Sequence, residues 1–387
     1  MGKVADRIKR IPPYMIAEIE ELVQELEGKG KDIVHFDVGD PDFNTPENIR
    51  EAGKKALDQG LTHYPPYRGI QEFREAIAYR IEEDYGVDLN PDKEIIATPG
   101  SKHAIFDAIM AFVDENDVVA IGSPAYPVFY NTVCLAGGKP VSMPLSENFT
   151  LDIEKFDEIT KKANVAVLNF PNNPTGGVLE HELLDDIAEI TKKRDLLIIY
   201  DNAYEKIVYD NYKACFPLMN EDLKDYMILI GSLSKTYAMT GWRVGYMVGN
   251  EDLLNKALEI EKLANSGVPV FVQKAGVEAL TGDQRCVEDM VKEYDARREL
   301  LVKGLNRVEG FKCEYPKGTF FAFADVRELG SCVEISKYLI ENGVSTVPGL
   351  GFGSEGEGYI RFAFTVNREE IKRGISRIKE AIEKYQG

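Results

Sequence analysis

Between residues 47 and 248, short apolar runs alternate with helical patterns. The runs lie at 118–121, 165–170, 196–200, 227–230 and 244–248, and the helical patterns at 47–59, 69–85, 101–113 and 180–193. A strand that is apolar on both sides must be covered on both sides. Strands separated by helices satisfy this by lying side by side in a mostly parallel sheet with helices on each face, an α/β architecture. Such a sheet binds its ligands at the carboxyl ends of its strands. The polar residues of interest all follow the apolar runs.

The two ends of the chain read differently. Near the amino end, Ile16, Ile19, Leu22, Val23 and Leu26 recur at helical spacing, and Gly28-Lys29-Gly30 stops that helix. A strand at 32–38 then enters the turn Gly39-Asp40-Pro41-Asp42-Phe43. After about residue 285, long helices run to Gly310, strand-like segments follow at 320–326, 345–347 and 359–366, and Ile371, Ile375, Ile378, Ile382 and Tyr385 stripe a last helix. This predicts a smaller α/β unit joined by the amino-terminal segment. The expected division is 1–48 (arm and part of the small unit), 49–284 (large unit) and 285–387 (small unit). The Gly349-Leu350-Gly351-Phe352-Gly353 run precedes a strand instead of opening a helix, so it is no dinucleotide fingerprint.

With 65 acidic against 46 basic residues, the net charge is -19. A nucleic-acid partner needs a basic face and is not expected. No apolar run is long enough to span a bilayer, and the first residues lack the apolar stretch of a secretory signal. Five scattered cysteines without a Cys-x-x-Cys pair predict reduced thiols and a cytoplasmic setting. The histidines His35, His63, His103 and His181 show no metal-ligand spacing, so no metal site is expected.

Against that acidic background a few groups stand out. Ser232-Leu233-Ser234-Lys235-Thr236 and Thr240-Gly241-Trp242-Arg243 bring an amine, hydroxyls and a guanidinium together after the 227–230 run. They suit a site that holds a phosphate and forms an imine, though a lone lysine is more often an ordinary surface cation. Pro99-Gly100-Ser101-Lys102 opens a helix, where free N–H groups bind anions; a plain capped helix reads the same way. Tyr126, in Pro124-Ala125-Tyr126-Pro127, either lies against a planar ring or packs in the core. Asn169-Phe170-Pro171-Asn172-Asn173-Pro174-Thr175-Gly176 is a rigid turn that can fix a side-chain amide. Asp201 ends a buried strand, where a carboxylate needs a partner; it is a helix cap or the counter-ion of a protonated ring nitrogen. Arg361, inside the apolar 359–364 segment, either clamps a carboxylate or faces water from an edge strand.

Taken together, and in this order along nearly the whole chain, these stretches resemble the fold type I pyridoxal-phosphate aminotransferases, the aspartate aminotransferase-like class I/II group. The resemblance implies a three-layer α-β-α large domain with a mostly parallel seven-stranded sheet, a small domain from both chain ends, and a homodimer with shared active sites. It implies pyridoxal 5′-phosphate as cofactor and Lys235 as its Schiff-base lysine. Asp201 then pairs with the pyridine nitrogen, Asn173 and Tyr204 with the ring hydroxyl oxygen, and Tyr126 stacks. The phosphate falls to backbone groups of Ser101 and Lys102, to Ser232 and Arg243, with Gly100 and Ser234 also at the cofactor. Tyr64, in His63-Tyr64-Pro65, matches the tyrosine that reaches the neighbouring subunit's phosphate. Gly39 and Arg361 hold the substrate α-carboxylate, Asn173 lies beside it, and Lys102 is the candidate for a distal carboxylate. The implied reaction moves an amino group from an L-amino acid, aspartate first, to a 2-oxo acid such as 2-oxoglutarate, by ping-pong kinetics. Gly100-Ser101-Lys102, Tyr126-Pro127-Val128 and His63-Tyr64-Pro65-Pro66-Tyr67 are also similar to LL-diaminopimelate aminotransferases. Aromatic and alanine specificities stay open, as does a carbon–sulfur lyase on the same scaffold.

Overall fold

The computed structural model describes residues 4–385. Among these residues lie thirteen strands, β1 (Val34–His35), β2 (Ile95–Thr98), β3 (Val118–Ser123), β4 (Lys139–Pro144), β5 (Val165–Asn169), β6 (Leu197–Asp201), β7 (Met227–Ser232), β8 (Gly245–Gly249), β9 (Lys312–Cys313), β10 (Phe321–Asp325), β11 (Val344–Ser345), β12 (Val347–Pro348) and β13 (Tyr359–Ala363). Seven form one sheet in the order β2-β8-β7-β6-β5-β3-β4. The pairs β3–β4, β3–β5, β5–β6 and β6–β7 are parallel, whereas β8 runs antiparallel to both β7 and β2.

Side-chain alternation along these strands builds two cores. Ala120, Ala166, Leu168, Ile198, Tyr200 and Leu229 face one side, against Phe73 and Ile77 of helix Gln71–Tyr85 and Ile187 of helix Leu184–Arg194. Val119, Ile121, Val167, Ile199, Ile228 and Ile230 face the other, against Ile105 of helix Ser101–Phe112, Val133 of helix Val128–Ala136 and Leu254 of helix Glu251–Ala264. The doubly apolar runs are therefore the middle of a three-layer stack. The four internal parallel strands carry the signal that marked them in the sequence.

A four-stranded sheet, β12-β13-β10-β9, and the parallel pair β1–β11 surround a third core, with helices Arg285–Leu305 and Arg368–Ile382. Two expectations are corrected here. The strand read at 32–38 is only β1, because Phe36 leaves it: its N–H donates to the Ser345 carbonyl at 2.9 Å while its own carbonyl accepts from Ala363 N–H at 2.7 Å. Phe36 thus bridges two sheets and turns the chain toward Gly39. The segment read at 345–347 is two strands in different sheets, β11 and β12, separated at Thr346.

Elements without a strong pattern escaped the sequence reading: the edge strands β2 and β4 and helices Val128–Ala136, Ile153–Thr160, Glu251–Ala264 and Val270–Thr281. β4 holds Pro140 and Pro144, which an edge strand tolerates because one side of its backbone needs no partner. Among the described residues, no helix is long and apolar enough to cross a membrane, and all five cysteines are free.

Candidate active site

The four parallel strands β3, β5, β6 and β7 point their carboxyl ends at one cavity of about 590 Å³. It is lined by Ser101, Lys102, Tyr126, Asn173, Asp201, Tyr204, Ser232, Ser234, Lys235, Arg243, Gly39 and Arg361. Twelve of the fourteen residues singled out in the sequence thus meet in one place. Of the other two, Gly100 caps helix Ser101–Phe112 from just behind the wall, and Tyr64 lies outside the cavity with 87% of its surface exposed.

The residues at the ends of β5 and β7 are held mainly by local geometry. The link between antiparallel β7 and β8 carries Lys235 on a short helix, Leu233–Thr236, whose N-cap Ser232 accepts Ser234 N–H at 3.2 Å. The same link brings back Arg243, whose φ of 53° lies in the left-handed region and costs about 1–3 kcal/mol. That turn aims the guanidinium at the carbonyls of Thr240 (2.7 Å) and Pro99 (3.4 Å). It then lies under Gly100: a Cβ built there would sit 2.7 Å from Arg243 Nη2, and Gly100 itself has φ +81°. The backbone conformation is what favours glycine there; the guanidinium, at the end of a flexible side chain, could give way.

Asn169 ends β5 and locks the next turn. Its Oδ1 accepts Asn173 N–H at 2.9 Å, and its Nδ2 donates to the Asp201 carbonyl at 3.0 Å. Asn172 Oδ1 accepts from Thr175 N–H (3.2 Å) and Oγ1–H (2.8 Å), which closes the turn internally. The rigidity read from the prolines is thus reinforced by side chains. It leaves Asn173 Oδ1 to accept from Arg361 Nη1 at 3.0 Å.

Arg361 is only 3% exposed and belongs to β13, which is flanked by β12 and β10. The edge-strand alternative is therefore removed. Its second nitrogen, Nη2, donates to the Asp37 carbonyl at 2.6 Å, and its guanidinium lies 4.3 Å from the Phe321 ring centroid and 4.9 Å from that of Phe352. Burial lowers its pKa to about 10. Gly39 accepts a hydrogen bond from Lys235 Nζ, and a Cβ on it would meet Phe321 at 2.7 Å.

The charges here are uneasy, as perturbed groups at a cleft often are. Burial, reinforced by the positive charges of Arg361, Arg243 and Lys102, lowers the Lys235 amine to about 8, though Asp40 opposes the shift. Burial raises Asp201 to about 7, and only the Ala203 N–H, at 3.0 Å, works the other way. Burial also raises the phenols of Tyr204 and Tyr126. Lys102 sends its ammonium over the Tyr126 ring, 5.8 Å from the centroid.

Apart from Gly39 and Arg361, the sequence reading missed the opposite wall. Tyr14, Ile16 and Glu20 from the amino-terminal segment, Asp37, Val38 and Asp40 around Gly39, and Phe321 of β10 all line the cavity. The Tyr14 hydroxyl lies 3.5 Å from that of Tyr126. Asp37 and Asp40 flank a glycine that was chosen, so proximity in sequence could have found them. Tyr14 and Glu20 carry no such signal.

A family profile described as aminotransferase class I and II matches residues 31–378. The chain is 41% identical to a probable aspartate aminotransferase of Methanocaldococcus jannaschii, over 98% of this chain and 100% of that one. It is 39% identical to an LL-diaminopimelate aminotransferase of Halothermothrix orenii, over 99% of each. Among solved structures, aspartate aminotransferase from Thermus thermophilus with maleate superposes with a TM-score of 0.93 at 31% identity, covering 98% of this chain and 100% of that one.

Proposed function

From a chain that belongs to the aminotransferase class I and II family, and is therefore a pyridoxal-phosphate-dependent transaminase of fold type I acting on amino and 2-oxo acids, we propose a donor–acceptor pair and a role for each wall residue. The cavity suits the cofactor. Asp201 is a buried acceptor given only one backbone donor, as a ring N–H would require. Gly100, in the left-handed region, lets the Arg243 guanidinium pack close to the start of helix Ser101–Phe112, beside Ser101 and Lys102. Lys235 faces the same cavity as a depressed amine.

Ser232, Arg243 and the free N–H groups at Ser101 and Lys102 hold the phosphate. Asn173 and Tyr204 hold the ring hydroxyl oxygen, Tyr126 lies on the ring face, and Asp201 keeps the ring nitrogen protonated. When bound, the cofactor supplies an electron sink for the pair left as the substrate Cα–H bond breaks. Lys235 holds the cofactor and, once free, is the base that moves the Cα proton; an amine at about 8 has a free-base fraction near neutral pH that an ordinary lysine lacks. Arg361, fixed between Asn173 and the Asp37 carbonyl and stacked on Phe321, presents its fork to the α-carboxylate beside Gly39. A second copy of the chain completes the site by bringing its exposed Tyr64. Free cysteines fit a cytoplasmic setting.

Aspartate as donor and 2-oxoglutarate as acceptor are the substrates. The observation that supports this reading is Lys102, a cation on the cavity wall beside Tyr126, available to pair with a distal carboxylate. One feature favours an alternative, LL-diaminopimelate as donor: Glu20 lines the opposite wall of the same cavity, and a carboxylate together with an ammonium matches a distal amino-acid group. Rates of glutamate formation from 2-oxoglutarate with aspartate, LL-diaminopimelate, alanine and phenylalanine decide between them. Aspartate leading supports the proposed pair, and LL-diaminopimelate leading replaces it with the alternative. Pyruvate released from cystathionine at turnover rates without an oxo acid would point to the lyase chemistry instead.

A further inference from the structure

On the far side of helix Ser101–Phe112 from the cavity wall, three ionisable side chains converge. His103 and Asp107 lie one turn apart on this helix, and Glu261 projects from helix Glu251–Ala264, which packs beside it. His103 Nε2 is 2.9 Å from Glu261 Oε2 and 3.5 Å from Asp107 Oδ1. One atom from each of the three lies within 4.8 Å of the others. The two carboxylates are fully buried, and all four of their oxygens lack a hydrogen-bond partner. Among the described residues this is the one grouping of three such ligands. Histidine spacing alone could not reveal it, because the third ligand comes from a distant helix.

Two carboxylates in a dry contact between helices are costly without compensating charge. One imidazole, even protonated, offsets only one of them. A cation placed between the three atoms, at the roughly 2.0–2.2 Å typical of nitrogen and oxygen ligands, would satisfy the charge and the unpaired oxygens together. One nitrogen and two carboxylate donors suit zinc, manganese or iron(II) better than calcium. His103, a quarter exposed, leaves a path for the ion and for water in the remaining positions.

We propose that His103, Asp107 and Glu261 form a binding site for a divalent first-row transition cation. The ion joins the helix whose first turn lines the cavity to helix Glu251–Ala264, and so fixes that turn from behind. Its role is structural, and it takes no part in the amino-transfer chemistry. The competing way to settle the charge is a proton shared by the carboxylates, which burial and Glu261 favour by raising Asp107 to about 9.

Titration of chelator-treated holoenzyme with zinc, followed calorimetrically and by thermal unfolding, tests this. The site predicts one zinc per chain and a higher Tm. Asp107→Asn and Glu261→Gln should each weaken binding by about tenfold to 100-fold or more and remove the Tm gain. Cobalt(II) should give visible ligand-field bands in the wild type that His103→Gln changes. If the isosteric variants do not fold, wild-type stoichiometry and the His103→Gln spectrum still decide. Substoichiometric uptake, binding unchanged in the variants, or a Tm gain in metal-free Asp107→Asn with no uptake by the wild type would overturn the site in favour of the shared proton.

Discussion

The cavity has two walls of different origin. One is the carboxyl edge of the large sheet, where four neighbouring strands deliver Tyr126, Asn173, Asp201 and the Ser232–Arg243 link. The other comes from both ends of the chain: Tyr14 and Glu20, the turn at Asp37–Asp40, Phe321 and Arg361. The sheet wall is built from turns that lock themselves, as the Asn169–Asn173 and Asn172–Thr175 hydrogen bonds show. The other wall depends on contacts between segments more than a hundred residues apart, such as Arg361 with Asp37. A rigid wall suits a cofactor that stays, and an assembled wall suits a substrate that comes and goes. The division predicts that sheet-wall variants lower kcat and that end-wall variants raise KM.

The largest effect should come from Lys235→Ala, with kcat reduced by about 10⁴-fold, since on the proposed roles both the attachment and the base are lost. Spectra of the variant should still show bound cofactor, because the phosphate cradle is intact. Next is Asp201→Asn, expected to lower kcat by about 10²-fold with KM nearly unchanged, as measured by steady-state kinetics. Arg361→Lys replaces a fork by a point charge and should lower kcat/KM by about 10²-fold, almost wholly through KM. A fall in kcat of that size with KM preserved would break the two-wall division. Smaller still, Lys102→Ala should cost about tenfold for aspartate and little for phenylalanine. Equal losses would assign Lys102 to the cofactor or to structure.

A pH profile sharpens the same contrast without substrate. Burial raises Asp201 from 3.8 to about 7, so between these values the folded chain holds a proton that the unfolded chain has lost. Cofactor-free protein should therefore lose stability as pH rises through that window, and Asp201→Asn should flatten that part of the profile. Urea midpoints across the window, for both proteins, measure the difference. The Arg361 guanidinium stays charged throughout, so Arg361→Lys should leave this slope unaltered.

The same contrast explains what could be read from the sequence. The central strands announced themselves because burial on both faces removes every polar residue from them, and the site residues follow directly where polarity returns. β4 stayed hidden because its side chains are mostly exposed or half-buried, whereas β2 is buried along its whole length but only four residues long, too short for its pattern to stand out. Arg361 was visible as a charge in an apolar strand, but its burial depends on Phe321 and Phe352 closing over it. Tyr14 and Glu20 were invisible as site residues. Tyr14 only precedes a helix, Glu20 has the pattern of that helix's solvated face, and packing of this segment on Ile340, Val347 and Phe352 is what makes them wall. Glu261 failed for the same reason, its two helical partners being far away in the chain.

The central claim is that Lys235 is the amine that holds the cofactor at the end of β7. Borohydride reduction of the purified protein, followed by digestion and peptide mass spectrometry, tests it most directly. The account predicts a yellow protein that bleaches on reduction, with a phosphopyridoxyl group on the peptide carrying Lys235 and no label in Lys235→Ala. A colourless protein, or a label on Lys102 or any other lysine, would contradict it.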